Sequence, residues 1–471
     1  MIGKNILIEI ILTAIGALVT FFTVALSARL FGPEIIGNVA YVLGVTGLIF
    51  AFSDLGFSKA HVHFTAVDKK PKKTLGTFLG LKTILLLLTA LIALIIGFIK
   101  QDQFKGIFAL ILAYELISRF ANSILITFEG LQKSLPQNLT RLITKIIKLI
   151  AVILISYQLT NNLGFGLTYL VESLSLILIS FYLIRRFLPL KYDRSLVKKY
   201  LKYSLPFFII VPLGYLQTNF LTIILKKLHS ATQLGYYQAS ASLTGFIKTF
   251  FGAAMIYFFP KISSLSAAKD SESIRHYADL AIKYLLIIFT PVFMFSFLVR
   301  KELIILILGN KFIPAIPVFS LLLLGTFILM IIAPYTQILF ATKNHKPLIK
   351  ADIASLFLSI GLAIWLVPSL GAKGIVIASI GAWSLNGFWH YYLIKKHLNI
   401  QILPKFFRFI VPALLILIFT SYLFDYFQVG IVLKLVLTVI SISIYPLILF
   451  LLKLINRQDI KYLKAVIKPK S

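Results

Sequence analysis

The stretch "EIILTAIGALVTFFTVALSARLFGPEIIGNVAYVLGVTGLIFAFSDLGF", residues 9–57, decides the fold class. Its only charged residues are Glu9, Arg29, Glu34 and Asp54. Two apolar runs flank the segment Arg29–Glu34, and each is long enough to cross a ~30 Å hydrocarbon layer as a helix. In the first run Glu9, Thr13, Gly16, Thr20, Thr23 and Ser27 recur at intervals of four and three, which keeps them on one helix face. A helix surrounded by lipid has no use for such a face, so it looks onto protein or water.

The rest of the chain repeats this pattern. Of 471 residues, 59% are hydrophobic and 13% charged, with a mean hydropathy of +0.94. A soluble domain carries about 25% charged residues. Apolar runs at 6–30, 35–57, 75–99, 106–128, 140–159, 164–184, 203–225, 235–258, 281–299, 315–340, 349–368, 374–394, 406–424 and 430–452 predict an all-α polytopic membrane protein of about fourteen transmembrane helices. A short amphipathic piece, 301–312, precedes the tenth span. The ~10-residue alternating segments of a β-barrel do not occur. There is no cysteine for a disulfide or thiolate site. The first apolar run is too long for a cleavable signal peptide.

A net charge of +31 would suggest nucleic acid in a soluble protein. Here the bases sit mostly in short loops, so no nucleic-acid partner is expected. With the N-terminus inside, the inner loops collect Lys69, Lys70, Lys72 and Lys73, then Arg185, Arg186, Lys191, Arg194, Lys198 and Lys199, and later the tail from Lys453 to Lys470. The outer loops hold far fewer, chiefly Lys100, Lys105, Lys226, Lys227, Arg300, Lys301, Lys311 and Lys373. The positive-inside rule therefore places both termini in the cytoplasm and the protein in the cell membrane.

An internal repeat is visible. "RLFGPEIIGNVA" (29–40) aligns with "KLHSATQLGYYQA" (227–239), Gly37 falling on Gly235. "FEGLQKSLP" (128–136) aligns with "LFATKNHKP" (339–347), and "LGFGL" (163–167) with "LGAKGI" (370–375). Spans 1–6 thus correspond to 7–12, and an even number of spans per repeat keeps the halves parallel. The expected organisation is an N-terminal six-helix lobe (1–190), a cytoplasmic linker (191–202), a pseudo-symmetric C-terminal six-helix lobe (203–397), and two additional helices with a basic tail (398–471). Halves repeated in this way point to a transporter with its site between them.

A charge at mid-membrane costs about 2.5–3.5 kcal/mol on insertion scales and marks a pathway or a pair. The basic candidates are Lys82, Arg119, Lys145, Lys148 and Lys248, and the acids within the spans are Glu115 and Glu172. Glu115 and Arg119 are four apart and pair on one helix face. Arg141, Lys145 and Lys148 share a face with no acid on their own helix. Arg141, Lys82 and Lys145 lie nearer an inner end, where snorkelling is an alternative to a cavity role. An excess of about three positive charges suits an anionic cargo such as a phosphate or diphosphate headgroup. Glu9, Thr13, Thr20, Thr23, Tyr41, Gln238 and Asn386 are the expected polar lining, with helix packing as the alternative for the small residues. No G-x-x-x-x-G-K-[ST] motif is present, so a gradient or cargo consumption would drive transport. Asp54, Glu115, Glu172 and Asp352 are the candidate ion couplers, and Pro206, Pro212 and Pro291 candidate kinks or passive bends. His61 and His63 share a face only in an extended segment, so "HVH" is expected to be no metal clamp, and no cofactor is expected. It lies in what reads as an inner loop, with Asp54 positioned to meet inner-loop bases.

These segments resemble a known group. "ARLFGPEIIGNVAYVLGVTGLIFAFSDLGF" (28–57), "FEGLQKS" (128–134), "LGYYQASASLTGFIKTFFGAAMIYFFPKISSL" (234–265), "LGNKFIPA" (308–315) and "LFATKNHKPLIKADIASLFLSIGLAIWLVPSLGAKGIVIASIGAW" (339–383) are similar to polysaccharide flippases of the Wzx type, within the multidrug/oligosaccharidyl-lipid/polysaccharide exporter superfamily. The resemblance covers nearly the whole chain through the order and spacing of loose motifs. It implies two six-helix lobes about a central cavity and a flippase, not an enzyme. The implied cargo is a polyprenyl-(di)phosphate-linked oligosaccharide of the O-antigen and lipopolysaccharide type, moved between leaflets by alternating access. The partners it implies are that cargo, membrane lipids, and glycosyltransferases or a polymerase of the same pathway, around a monomer. Arg29 matches the family's basic position at the outer end of the first span, an outer-gate candidate. The alternatives are a multidrug exporter of the same superfamily and an intramembrane glycan polymerase or ligase.

Overall fold

The structure is a computed structural model describing residues 2–68, 71–100, 105–205, 207–268, 270–341, 345–398, 403–427, 430–456 and 459. All regular structure among these residues is helical. The first helix, α1 (Ile2–Phe50), has 49 residues, about 74 Å if straight, more than twice a hydrocarbon core. It therefore turns. Gly32 has φ 77° and ψ 173°, a conformation open mainly to glycine, and Pro33 follows at the start of the next helical arm. Spans 1 and 2 are the two arms of α1.

The other spans follow as α3 (Pro71–Lys100), α4 (Lys105–Gly130), α5 (Leu135–Ser156), α6 (Asn162–Ile184), α8 (Phe207–Leu228), α9 (Ala231–Ala267), α10 (Ser271–Leu298), α12 (Ile316–Ala341), α13 (His345–Leu370), α14 (Ala372–Leu398), α15 (Leu403–Tyr426) and α16 (Ile431–Leu451). Nine stretches are long and apolar enough to cross a membrane by length and composition, the first of them containing both arms of α1. The remaining four, α5, α8, α9 and α14, run 22 to 37 residues, at least about 33 Å each. The chain is a multi-pass membrane protein.

Of three short helices, one was expected and two were not. The piece expected at 301–312 is α11 (Arg300–Leu308) followed by a 3₁₀ turn, Asn310–Ala315. The supposed inner loop after span 2 is α2 (Phe57–Asp68), and within 191–202 lies most of α7 (Arg194–Ser204), capped by Asp193, whose carboxylate accepts from the Ser195 amide. In α2 the buried residues Phe57, Ala60, His61 and Thr65 form one face. His61 and His63 are about 200° apart on that helix and cannot converge on one ion.

Contacts divide the chain into two compact units. One comprises Met1–Thr249, Ile307–Val318 and Asp352–Ala382; the other comprises Phe250–Leu306, Phe319–Ala351 and Trp383–Ser471. Within the first unit, two features fix the helices that matter. The first is a glycine crossing. A Cβ on Gly37 would overlap the carbonyl oxygen of Ala231, and a Cβ on Gly235 would overlap that of Pro33. The contact is reciprocal, and the pairs Pro33/Ala231 and Gly37/Gly235 keep the offset of the sequence repeat. It is the self-complementary contact expected of a two-fold relation between the repeats.

The second feature is a core around α2, α3, α4 and α7, built on Phe57, Phe78, Leu125, Phe128 and Tyr200. His61, fully buried, sits at its centre. Its Nδ1 lies 2.9 Å from the Tyr200 hydroxyl, its Nε2 lies 2.9 Å from the Thr127 hydroxyl, and its ring stacks on Phe78 at 4.2 Å. Tyr200 donates to the Thr74 carbonyl at 3.3 Å, so the network is satisfied by a neutral imidazole with the proton on Nδ1. Burial pushes His61 down from 6.5 to about 3.

Two outcomes are expected. Gly235→Val forces the α1–α9 crossing apart and costs about 1–3 kcal/mol, read as a lower melting temperature in detergent, with a surface glycine such as Gly430→Val as control. Between pH 6.5 and 3 the unfolded chain binds a proton at His61 that the native chain does not, so stability is complete above pH 6.5 and falls as pH drops. The loss is about 2 kcal/mol by pH 5. Denaturation midpoints at pH 7 and pH 5 check it, and a His61→Phe chain should show the smaller slope.

Candidate functional site

The first unit encloses a cavity of about 310 Å³ between α1, α5, α6, α8 and α9. Thr20, Thr23 and Ser27 of the first arm of α1 form one wall, and Ile36, Ala40, Leu43 and Gly44 of the second arm another. Lys145 and Lys148 enter from α5, Tyr169 and Glu172 from α6, Asn219 and Thr222 from α8, and Gln238, Ala239 and Ser242 from α9. Beside it lies a cavity of about 370 Å³, lined by Thr13, Thr20, Lys145, Ser242 and Thr249 among others. Thr20, Val24, Lys145 and Ser242 line both.

The helical stripes explain this convergence. Thr13, Thr20, Thr23 and Ser27 face inward because their spacing keeps them on one side of α1. Their hydroxyls are partly spent on their own helix: Thr13, Thr20 and Thr23 donate to the carbonyls four residues back at 2.7–2.8 Å. They line the space as acceptors as much as donors.

The charges differ in how they are held. Lys148 donates to Glu172 at 2.7 Å and sits 3.3 Å from the centroid of the Tyr169 ring. The acid absent from its own helix is supplied by α6. Lys145, one turn away, donates to the Gly16 carbonyl at 3.3 Å and has no carboxylate within 4 Å among the described residues. The single carboxylate lining either cavity, among described residues, is Glu172, already bound to Lys148.

Arg119, Glu115, Lys82 and Asp54 lie off this cavity, around the end of α1. Arg119 donates to Glu115 at 2.6 Å and to the Phe50 carbonyl at 3.1 Å, at the C-terminal end of α1. Its guanidinium lies 5.4 Å from the Phe50 ring and 5.3 Å from the Tyr215 ring. Beyond Phe50 the backbone is a 3₁₀ turn, Ala51–Ser53, then Leu55 and Gly56 with positive φ. Asp54, in this irregular segment, accepts from Lys82 at 2.7 Å and from Ser58 at 2.5 Å. Lys82 is 4% exposed. It does not snorkel, and Asp54 meets this span lysine rather than an inner-loop base.

The other expected residues are dispersed. Glu9 accepts from Ser134. Arg29 is exposed and donates to the Ile307 carbonyl at 3.2 Å. Tyr41 is buried, Lys248 lies on α9 outside both linings, and the Asp352 carbonyl accepts from Gln217 at 3.2 Å. Asn386 is in the second unit. Tyr169, Asn219 and Thr222 were missed. The signal was present for the last two, because Asn219 and Thr222 are three apart and belong with Gln217 and Thr218 to a polar cluster in an apolar span.

Comparison with known proteins follows this geometry. A sequence comparison with curated proteins gives no significant match. Among solved structures, the lipid II flippase MurJ in an inward closed conformation has a TM-score of 0.75 at 15% identity, covering 94% of this chain and 99% of that one. A multidrug resistance MATE family transporter of the MOP superfamily, in an inward-facing conformation, has a TM-score of 0.61 at 16% identity, covering 83% and 95%. A MOP superfamily transporter from Pyrococcus furiosus has 0.59 at 14%, covering 84% and 96%. These likenesses establish the fold. The family model described as polysaccharide biosynthesis protein matches residues 26–317, more than half of the chain. The chain therefore belongs to the polysaccharide biosynthesis protein family, on the fold shared by MurJ and the MATE transporters.

Proposed function

We propose that the protein is a flippase that moves a polyprenyl-(di)phosphate-linked oligosaccharide across the cell membrane by alternating access, for surface-glycan assembly. The observation that carries this reading is the character of the unit-one cavity. It presents a lysine, Lys145, with no carboxylate within 4 Å among the described residues, amid the neutral hydrogen-bonding groups of Thr20, Thr23, Asn219, Gln238 and Ser242. A phosphate is recognised by the cation, and sugar hydroxyls by the neutral ring. Family membership and the fold of a lipid II flippase support the same cargo class. Export of a cationic drug calls for an unpaired carboxylate, and Glu172 is neutralised by Lys148. Lys148, Arg119 and Lys82, whose charges are compensated, then serve to hold helices rather than cargo.

The Gly37–Gly235 crossing is the seal at one end of this cavity. Ala40 on α1 and Gln238 on α9 line the cavity three residues beyond these glycines, about 4.5 Å along each helix. By the loop-charge orientation this is the outer end, with both termini cytoplasmic. Opening the crossing exposes the headgroup outside. Asp54, Glu115 and Glu172 are each neutralised by a base within 2.7 Å, so ion coupling through them requires exchanging that base for a proton or metal ion.

Lys145→Ala should lower apparent affinity for a diphosphate-linked headgroup about tenfold or more, one charge-assisted hydrogen bond, in a proteoliposome flipping assay. Unchanged flipping would remove Lys145 from the reading. Lys148→Ala should instead cut the yield of folded protein, and Lys148→Ala with Glu172→Ala should restore it. The absence of native cysteine allows a direct test of the seal. In right-side-out vesicles a Ser242→Cys chain should resist an impermeant maleimide, and adding Gly37→Ala and Gly235→Ala should raise labelling several-fold.

A further inference from the structure

The second unit has a cleft of about 260 Å³ that the transport reading does not use. It is lined by His276, Asp279 and Lys283 of α10, Phe406 and Arg408 of α15, and Lys453 just after α16, among others. We propose that this cleft binds the phosphate headgroup of an anionic phospholipid, whose chains lie along α15.

The position is that of a headgroup. His276 to Lys283 occupy the first turns of the span Glu272–Leu298, Arg408 the first turn of Phe406–Phe424, and Lys453 follows the end of Ile431–Leu451. Three spans thus deliver these side chains to one membrane boundary. The cleft has a built floor. Lys283 and the Tyr284 hydroxyl both donate to Asp459, at 2.6 and 3.0 Å, and Asp459 also accepts from the Asn456 amide at 2.8 Å while only 4% exposed. This network pins the segment after α16 against α10. With Lys283 so engaged, Arg408 and Lys453 remain. Both are exposed, and neither has a carboxylate partner among the described residues. Asp279 lines the same cleft, so with Lys283 and Asp459 paired the lining keeps an excess of one positive charge, and two exposed cations converging on one concavity from α15 and the end of α16 make a phosphate site rather than a scattered loop charge.

The apolar half of the ligand is matched as well. From Arg408 inward, Val411, Leu415 and Phe419 continue its side of α15 and are 49%, 63% and 64% exposed. Their spacing keeps them on one face of α15 over about 16 Å, the depth of one leaflet's hydrocarbon. A free phosphate ion uses only the cations; a phospholipid uses both surfaces.

The test is thermal unfolding of the full-length protein in neutral detergent, with added phosphatidylglycerol, phosphatidylcholine or inorganic phosphate. Phosphatidylglycerol should raise the melting temperature by several degrees, and phosphatidylcholine and phosphate should not. Arg408→Gln with Lys453→Gln should abolish the shift. Arg275→Gln, an exposed base at the same boundary outside the cleft, should leave it intact. A shift that survives the double variant, or that Arg275→Gln also removes, overturns the site. A shift reproduced by inorganic phosphate overturns its assignment to a lipid. Both variant positions are exposed, and a native gel-filtration profile verifies that the double variant folds.

Discussion

A charge surrounded by hydrocarbon must find a partner, and this constraint organises the first unit. Glu172 holds Lys148, Glu115 holds Arg119, and Asp54 holds Lys82, each at 2.6–2.7 Å. Two of the three pairs join different helices, α5 to α6 and the end of α1 to α3. Removing one member leaves the other buried and uncompensated, at about 3–5 kcal/mol, far more than the intact pair contributes. The pairs therefore specify which helices adjoin more than they stabilise the whole. Arg119 extends the same logic to the backbone. Where α1 ends inside the protein, its last carbonyls lack amide partners, and the guanidinium supplies a donor to Phe50.

What the pairing leaves over defines the cavity. A count of charges along the sequence gives an excess of bases without saying which is available. Once Lys148 and Arg119 are assigned to carboxylates, Lys145 stands apart, held by one long hydrogen bond to a carbonyl. A ligand oxyanion can replace that carbonyl at little cost. It cannot displace Glu172 from Lys148 without stranding a carboxylate. On the proposed reading, the position of a base within the network, not its presence in a span, separates a binding group from a structural one.

The sequence reads the spans, the polar stripe of α1 and the register of the repeat well, because each is a local periodicity. Thr13, Thr20 and Thr23 line the cavities as their spacing implies, and Gly37 meets the repeat partner of Pro33. Partner choice between helices is not local. Nothing in the spacing of Lys82 shows that Asp54, 28 residues earlier, will meet it, so snorkelling looked as good. The helices α2 and α7 escaped for another reason. They are short and polar on one face, and their helicity depends on packing His61 and Tyr200 into a shared core. Tyr169 carried no polar periodicity of its own, and its place over Lys148 emerges only from the packing of α6 on α5.

The two ends of this unit differ in what it costs to separate them. At the Asp54–Arg119 end, parting the helices breaks the buried Asp54–Lys82 ion pair and the Arg119 hydrogen bond to the Phe50 carbonyl, and exposes a helix terminus. At the Gly37–Gly235 end the contact is backbone against backbone, and the nearby charges Arg29 and Glu34 are exposed. Parting it forfeits dispersion and weak Cα–H···O contacts of about 0.5–1 kcal/mol each. Thermal energy and cargo binding can supply the second cost far more readily than the first. The repeat makes the glycine contact reciprocal, Gly37 against Ala231 and Gly235 against Pro33. In the proposed transport cycle this difference makes the charged end the hinge and the glycine end the clasp, with the cavity lying between them.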